Sequence, residues 1–317
     1  MSGVQDVTAS PGQNAIIMVF GLDDPAQARE RVLDLCGRLP ALVRSELNRF
    51  PDSLAGMVVA FGARAWAGLL PGWPVPGELS VFEPIQGERH LAPSTPGDLF
   101  FHVRSARMDV CQELAAHVSR ALSGVAESLD ETHGFRYFDS RAIIGFVDGT
   151  ENPSAEEAQG FATIAPDPAV TGKADFSGGS YVFIQKYLHD LKAWEELPVE
   201  EQEKAIGRRK FDDLELDGPA KPANAHNAVT NIRDQDGGEL KIVRANIAFA
   251  NPSRGEYGTY FLGYAGKFST TRRMLQNMFL GDPPGNTDRL LDFSRAVSGT
   301  LFFAPSAGYL ELLASEA

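Results

Sequence analysis

The segment GFVDGTENP, residues 145–153, is the stretch on which the interpretation of this chain depends. It begins at the end of the apolar run 142–147 and places two carboxylates, two glycines, an amide and a proline within nine residues. Glycine accepts positive φ and proline fixes the chain direction, so this composition predicts a fixed loop rather than a helix. Asp-Gly followed by Asn-Pro is also typical of an ordinary surface turn. Turn chemistry alone therefore leaves open whether the loop carries a site.

The composition is that of a soluble globular protein. The 317 residues are 43% hydrophobic and 22% charged, which permits one large domain or, as the better interpretation, two domains of about 150 residues. The formal net charge is −13 and Lys and Arg are not clustered, which disfavours a nucleic-acid partner. No apolar run approaches the roughly 20 residues that a membrane span requires. The segment Met1–Gly12 lacks the basic region and apolar core of a secretory signal and is predicted to be a short flexible start. We therefore expect a cytoplasmic protein without membrane or nucleic-acid partners.

The periodicity of apolar residues predicts a mixed α and β protein with helices on one side of a sheet. Strands are predicted at 14–22, 54–61, 98–104, within 125–138, and at 181–187, 240–249, 258–264 and 300–303. Helices are predicted at 26–37, 41–50, 108–123, 188–194, 199–208, 270–280 and 287–293. Pro40 is predicted to separate the first two helices. The segments 99–118 and 259–278 share the order strand, polar step, helix, although coincidence explains such a pattern equally well.

The polar residues alone do not select a site. Each of the six histidines is more simply explained as a surface or hydrogen-bonded core residue. Strand alternation places Arg244 and Asn246 on one face of their strand, which by itself is also typical of a solvated face. Cys36 and Cys111 lie within helical patterns and are too few for a disulfide framework, so we expect two buried thiols.

Residues 145–153 resemble the GxxDGTENP signature of the dye-decolourising haem peroxidases. KPANAHNAVTNI (221–232) resembles the family's proximal-histidine segment, and VRAN (243–246) resembles its distal strand. The resemblance runs from about Asn14 to Leu313 and is greatest to the intracellular bacterial B-type subgroup. It implies an α+β fold of duplicated ferredoxin-like halves with antiparallel sheets, and haem bound in the C-terminal half near the interface. The predicted units are residues 1–138 and residues 139–317, the second including the GFVDGTENP loop.

The resemblance also implies roles for individual residues. One haem b per chain is expected, with His226 as the axial ligand of its iron. A carboxylate that accepts a hydrogen bond from the other ring nitrogen makes such a ligand more basic. Asp288 is the expected partner, with a helix cap as its alternative role and Asp292 as the fallback. Asp148 and Arg244 are expected to promote cleavage of the peroxide O–O bond, and Asn246 to orient peroxide or a water.

Further contacts to the cofactor are expected from the loop and from two apolar side chains. The backbone of the loop residues is suited to approach the haem propionates, because glycine permits close contact and turn amides donate to carboxylates. Besides Arg244, the residues expected to contact haem are Gly149, Thr150, Glu151, Asn152, Leu262 and Phe279. Glu151 has two alternatives, a site for an oxidisable metal such as manganese and a solvated loop acid. Tyr257, Tyr260 and Tyr264 resemble a family strand near the haem, but aromatic residues are more often core material than radical relays.

The function that the resemblance implies is a haem-dependent peroxidase. Such an enzyme reduces hydrogen peroxide through a ferryl intermediate and oxidises dyes, phenolics or similar one-electron donors. A homo-oligomer, either dimer or hexamer, is expected, whereas the segment Leu310–Ala317 shows no docking peptide for an encapsulating shell. The alternative function is haem handling, meaning haem storage or release of its iron, which would use His226 without needing Asp148 or Arg244. A haem-free ferredoxin-like binding module is disfavoured because all four of the expected active-site positions are present.

Overall fold

The first half of the chain builds its main strands and helices in the order βαββαβ. The computed structural model describes residues 5–316. Its strands in this half are β1 (Asn14–Leu22), β2 (Gly56–Gly62), β3 (Ile85–Gln86), β4 (Leu91–Ala92), β5 (Leu99–Ser105) and β6 (Ala126–Phe135). Its helices are α1 (Pro25–Arg49), α2 (Ala63–Leu69) and α3 (Met108–Leu122), with a 3₁₀ helix at Pro51–Ser53. Strands β3 and β4 form a hairpin of their own, so the main order runs through β1, β2, β5 and β6.

The second half repeats this order with longer insertions. Its strands are β7 (Ser180–His189), β8 (Ile232–Arg233), β9 (Glu239–Leu240), β10 (Val243–Arg244), β11 (Ile247–Asn251), β12 (Glu256–Ala265), β13 (Ser294–Ala296) and β14 (Thr300–Ala304). Its helices are α4 (Ala158–Ala162), α5 (Leu191–Glu195), α6 (Val199–Ile206), α7 (His226–Thr230), α8 (Phe268–Phe279) and α9 (Ala307–Ala314). Further 3₁₀ helices lie at Gly172–Ala174, Gly218–Ala220, Pro252–Arg254 and Arg289–Asp292. The main strands are therefore β7, β11, β12 and β14.

The two sets of strands close into one barrel. In each half the fourth strand pairs with the first, the first with the third and the third with the second, giving β6-β1-β5-β2 and β14-β7-β12-β11. This is the ferredoxin-like order, so the predicted α+β fold of two such halves is confirmed. The halves then join, because β6 pairs with β11 and β2 pairs with β14, both antiparallel. The boundary between residues 138 and 139 stays a prediction.

Strand alternation divides the apolar residues between the inside and the outside of the barrel. On β1, Ile17 and Val19 belong to a buried cluster with residues of both halves, whereas Ile16, Met18 and Phe20 pack in the larger cluster that includes the helices. At one end of the barrel the Gln5 side chain donates to the carbonyls of Val59 and Pro305. The predicted flexible start is therefore wrong at Gln5, and Met1–Val4 lie outside the described residues.

Helix α1 corrects one prediction. It is a single helix of 25 residues that contains Pro40, where the sequence predicts a break. Its apolar face, including Val32, Cys36 and Leu39, is buried before the proline, and Leu42, Val43 and Leu47 after it are partly buried against the same core. Burial of one continuous face outweighs the hydrogen bond that Pro40 cannot donate. Asp24 caps the helix and Pro25 begins it, as its sequence predicts.

Both cysteines are buried and free, as expected. Burial raises the pKa of the Cys36 and Cys111 thiols to about 12, so neither is a reactive thiolate at neutral pH. Across residues 5–316 no helix combines the length and the apolar character that crossing a bilayer would require.

Candidate active site

A cavity of about 1000 Å³, counted with its open mouth, lies in the second half of the chain. We call it the main cavity. Its wall comes from β7, β10, β12, α7, α8, the 3₁₀ helix Arg289–Asp292 and the segment 142–148, and is mostly apolar. Ile206, Phe261, Met274, Leu275 and Leu290 are among the side chains that supply this apolar surface. A mostly apolar wall with a few polar groups is typical of small-molecule and cofactor sites.

His226 lines the main cavity and is the first residue of α7. Its Nδ1 lies 2.7 Å from Oδ2 of Asp288, a fully buried carboxylate. Because Nδ1 is committed to this hydrogen bond, Nε2 is the ring nitrogen that remains for another partner. An imidazole oriented in this way by a carboxylate is the usual form of a metal-ligating histidine.

Asp288 has both of the roles that its sequence left open. While Oδ2 contacts His226, Oδ1 accepts a 2.9 Å hydrogen bond from the backbone N–H of Leu290 and caps the 3₁₀ helix. Asp292 lies elsewhere, because its carboxylate pairs with Arg89 and Arg289. The fallback partner is therefore not the residue beside His226.

Asp148, Arg244 and Asn246 also line the main cavity. The Asn246 side-chain amide donates to Oδ1 of Asp148 at 3.1 Å. Desolvation lowers the pKa of the half-buried Arg244 guanidinium, and the negative charges of Asp148 and Glu151 oppose that effect. The same three side chains line a second cavity of about 880 Å³, which extends to Arg136 and Tyr137. They therefore lie where the two cavities adjoin.

The predicted strand 240–249 is broken in the structure, yet its alternation holds. Val243–Arg244 and Ile247–Asn251 are separate strands, while the N–H of Ala245 still donates to the carbonyl of Leu262 at 2.9 Å. Val243, Ala245 and Ile247 are buried in the barrel, and Arg244 and Asn246 face the main cavity, as the sequence predicts.

The residues of the GFVDGTENP loop after Asp148 do not line the main cavity. Gly149 adopts φ +85°, which lets the chain turn, and it lines the second cavity together with Asn152. Thr150 is exposed, and Glu151 pairs with Arg208 at 2.9 Å. The Asn152 side chain contacts the backbone of Arg244 instead. Within residues 5–316 no group of three or more His, Cys, Asp or Glu side chains is arranged to hold a metal ion.

The two apolar residues expected at the haem lie away from the main cavity. Leu262 is fully buried inside the barrel, and its neighbour Phe261 lines the main cavity in its place. Phe279 is buried in the outer cluster, whereas Met278 faces the cavity. In both cases the strand or helix is the expected one, but the side chain that faces the cavity is one residue earlier.

Sequence reasoning missed two titratable residues of β7 that line the main cavity. The Tyr187 hydroxyl donates to Oε1 of Gln185 at 2.5 Å, and burial together with the charge of Asp288 raises its pKa. His189 lies within 2.9 Å of the hydroxyls of Ser294 and Thr259, and burial lowers its pKa to about 4. Both lie two apart on one strand face, so the alternation of β7 was the signal that could have found them.

The chain resembles known proteins over nearly its whole length. Residues 5–136 match the family model described as Dyp-type peroxidase, N-terminal, and residues 139–308 match the one described as Dyp-type peroxidase, C-terminal. A solved dye-decolorizing peroxidase from Bacteroides thetaiotaomicron VPI-5482 is 55% identical, with a TM-score of 0.93 and 99% of each chain covered. A DypB variant from Rhodococcus jostii RHA1, solved in complex with heme, is 45% identical, with a TM-score of 0.92 and 97% of each chain covered. The encapsulated DyP-type peroxidase from Mycobacterium smegmatis is 48% identical, with a TM-score of 0.92 and 98% of each chain covered.

Proposed function

The chain belongs to the Dyp-type peroxidase family, and from that premise we propose that its main cavity binds haem through His226 and reduces hydrogen peroxide with Asp148 and Arg244. The observation that carries this proposal is the composition of one cavity. Its wall contains the His226 imidazole, which is hydrogen-bonded to the buried Asp288 carboxylate. It also contains the Asp148 carboxylate, which accepts a hydrogen bond from Asn246, and the Arg244 guanidinium. The rest of the lining is mostly apolar, as is usual for a site that binds a cofactor.

His226 is the residue proposed to hold the haem iron. Asp288 accepts a hydrogen bond from its Nδ1–H, which orients the ring and leaves Nε2 as the ligating atom. Bound haem supplies an iron that takes up the oxidising equivalents of peroxide and returns to its resting state by accepting single electrons. The apolar wall would exclude water from a bound cofactor.

Asp148 and Arg244 are proposed to act on peroxide itself. Cleavage of the peroxide O–O bond requires a proton to move from one oxygen to the other, which then departs as water, and the Asp148 carboxylate can accept that proton and return it. Negative charge develops on the departing oxygen, and the Arg244 guanidinium stabilises that charge in a site of low dielectric. Asn246 holds the Asp148 carboxylate in place through its 3.1 Å hydrogen bond.

One-electron donors such as dyes and phenolics are the proposed reducing substrates. Electrons can pass from the cofactor edge, so no substrate-specific pocket is required of the chain. The alternative of haem handling has no observation in its favour, because storing haem or releasing its iron gives no reason to group Asp148, Arg244 and Asn246 around the same cavity as His226.

The rate of reaction with peroxide tests the assigned roles. Haem-loaded wild-type protein, Asp148→Asn and Arg244→Leu would be mixed with peroxide in a stopped-flow spectrometer. We expect each variant to react at least about a hundredfold more slowly than the wild type, because proton transfer and charge stabilisation each contribute at least that factor.

Asp236→Asn and Arg254→Leu are matched controls, because both residues are exposed, in a turn and in a 3₁₀ helix that are distant in sequence from the GFVDGTENP segment. Both controls should react like the wild type. A variant of Asp148 or Arg244 that binds haem fully and reacts at the wild-type rate would remove that residue from the proposal.

Several properties of the assembled protein stay predictions. These are the cytoplasmic location, a homodimer or homohexamer, and the absence of an encapsulating shell. The relative from Mycobacterium smegmatis is encapsulated, and membership of the family is therefore compatible with packaging in a protein shell. Contact of Glu151 with a propionate or manganese also stays a prediction, and its ion pair with Arg208 favours a structural role.

A further inference from the structure

The side chain of Asn152 forms two hydrogen bonds with the backbone of one residue, Arg244. Its Oδ1 accepts from the Arg244 N–H at 2.9 Å, and its Nδ2 donates to the Arg244 carbonyl at 2.9 Å. The Arg244 Nε lies 3.5 Å from the same Oδ1. The amide therefore contacts the residue at three points.

These contacts complete the hydrogen bonding of a strand edge. Among the strands of residues 5–316, β10 pairs only with β12, and its neighbour Ala245 makes the hydrogen bond to Leu262. In an antiparallel pair the next residue along points its N–H and carbonyl away from the partner strand. The polar backbone groups of Arg244 thus face an open edge, and the Asn152 amide takes the place of a further strand there. Leaving both groups unpaired in a half-buried position would be unfavourable.

Asn152 also belongs to the GFVDGTENP loop, which carries Asp148. The N–H of Asn152 donates to the carbonyl of Gly149 at 3.0 Å, which closes a turn directly after Asp148. The other end of the loop segment is held by the hydrogen bond from the Asp148 N–H to the Ser140 carbonyl. A short, closed turn therefore connects Asp148 with the amide that binds Arg244.

We propose that Asn152 is a positioning residue, which fixes Arg244 relative to Asp148 for the reaction with peroxide. This inference rests on the proposed function, since it acts through the role given to Arg244. Asn152 does not line the main cavity, so its effect is on the placement of the guanidinium rather than on the peroxide. A displacement of about 1 Å at a reacting group is enough to slow a reaction about a hundredfold.

Kinetics on haem-loaded protein test the inference. Asn152→Ala removes all three contacts, and Asn152→Asp keeps the acceptor for the Arg244 N–H but places a carboxylate oxygen against the Arg244 carbonyl. We expect both variants to react with peroxide about tenfold to a hundredfold more slowly than the wild type. Asn251→Ala, which changes an amide at the end of β11, should react like the wild type.

A double-mutant cycle separates positioning from general damage to the fold. In an Arg244→Leu background no guanidinium remains to be positioned, so Asn152→Ala should slow the reaction less than about twofold further. A full additional loss in that background would show that Asn152 acts independently of Arg244 and would overturn the inference.

Amide hydrogen exchange gives a readout that does not depend on activity. The Arg244 N–H should exchange at least about tenfold faster in Asn152→Ala than in the wild type, and stay protected in Asn152→Asp. If Arg244→Leu reacts slowly but both Asn152 variants react at the wild-type rate, the positioning role is wrong while the proposed function stands. If Arg244→Leu itself reacts at the wild-type rate, the role proposed for Arg244 fails, and the inference fails with it.

Discussion

Among single residues, Asp288 makes two contacts that determine how the proposed axial ligand is held. One carboxylate oxygen accepts from the ring of His226 and the other caps the 3₁₀ helix Arg289–Asp292. The carboxylate is fully buried, so both of its oxygens depend on these partners. Substitutions of Asp288 can separate the effect of its hydrogen bond to His226 from the effect of the helix cap.

Asp288→Asn should keep the helix cap and weaken the orientation of His226, the proposed axial ligand. Asparagine caps helices as well as aspartate does, but when its amide oxygen accepts from the Leu290 N–H, its amide nitrogen replaces Oδ2 beside His226 and cannot accept the Nδ1 hydrogen bond. We expect haem affinity to fall about tenfold to a hundredfold, as for other partners of metal-ligating histidines. The free energy of unfolding without haem should fall by less than about 1 kcal/mol.

Haem titration and urea denaturation check these two expectations. Asp288→Ala serves as the comparison, because it also loses the cap and should cost about 2 kcal/mol of stability. Wild-type haem affinity in Asp288→Asn would show that the carboxylate charge does not support His226.

His189 makes stability depend on pH. Burial lowers its pKa to about 4, whereas an unfolded histidine titrates near pH 6.5. Between these values the unfolded chain binds the additional proton, so the His189 contribution to stability is present above about pH 6.5 and is lost as the pH falls towards 4.

We expect the wild type to lose about 2 kcal/mol more stability than His189→Gln between pH 7 and pH 4.5. Glutamine retains a donor and an acceptor for the hydroxyls of Ser294 and Thr259 but does not titrate. Urea denaturation at both pH values, with haem content matched, measures the difference. Equal losses in the two proteins would contradict the account of His189.

The polar residues of the site were easier to place from sequence than its apolar wall. His226, Asp148, Arg244 and Asn246 belong to short motifs that resemble those of the family, and the structure brings all four to one cavity. Leu262 was expected at the cavity, but the register of β12 turns Phe261 there instead. A shift of one residue reverses the face of a strand, and sequence periodicity alone does not fix it to that precision.

At the scale of elements, helix α1 shows that packing outweighs a local signal. Pro40 is exposed in the interior of the helix, while the apolar residues before it are buried and those after it pack partly buried against the same core. A proline signal is local, whereas the core that holds the helix together is formed by residues distant in sequence. The sequence therefore predicts the helical segments but not their continuity.

Pro40→Ala should stabilise the protein, because alanine restores a backbone donor inside an existing helix. We expect the free energy of unfolding to rise by about 1–2 kcal/mol. Urea denaturation measures this, with Pro71→Ala as a control outside the helices. Unchanged or reduced stability of Pro40→Ala would contradict the claim that Pro40 destabilises helix α1.

At the scale of the whole molecule, closure of the barrel is the feature least accessible to sequence reasoning. The strands of each half and their order follow from local patterns and from the resemblance to the family. The joins between β6 and β11 and between β2 and β14 connect residues more than a hundred positions apart, such as Phe135 with Ala248. Such pairings have no local signal. The main cavity lies outside this closed barrel, where α7, α8 and the loop 142–148 cover strands of the second half.

The most direct test of the account is the absorption spectrum of haem-loaded protein beside His226→Ala, before and after one equivalent of hydrogen peroxide. His117→Ala, a change at a partly exposed histidine of α3, is the control. We expect the wild type and the control to show a Soret band that peroxide alters rapidly and that a one-electron donor then restores. His226→Ala should lose the specific band. An identical band and peroxide response in His226→Ala would contradict the account, because the iron would then be held by another residue.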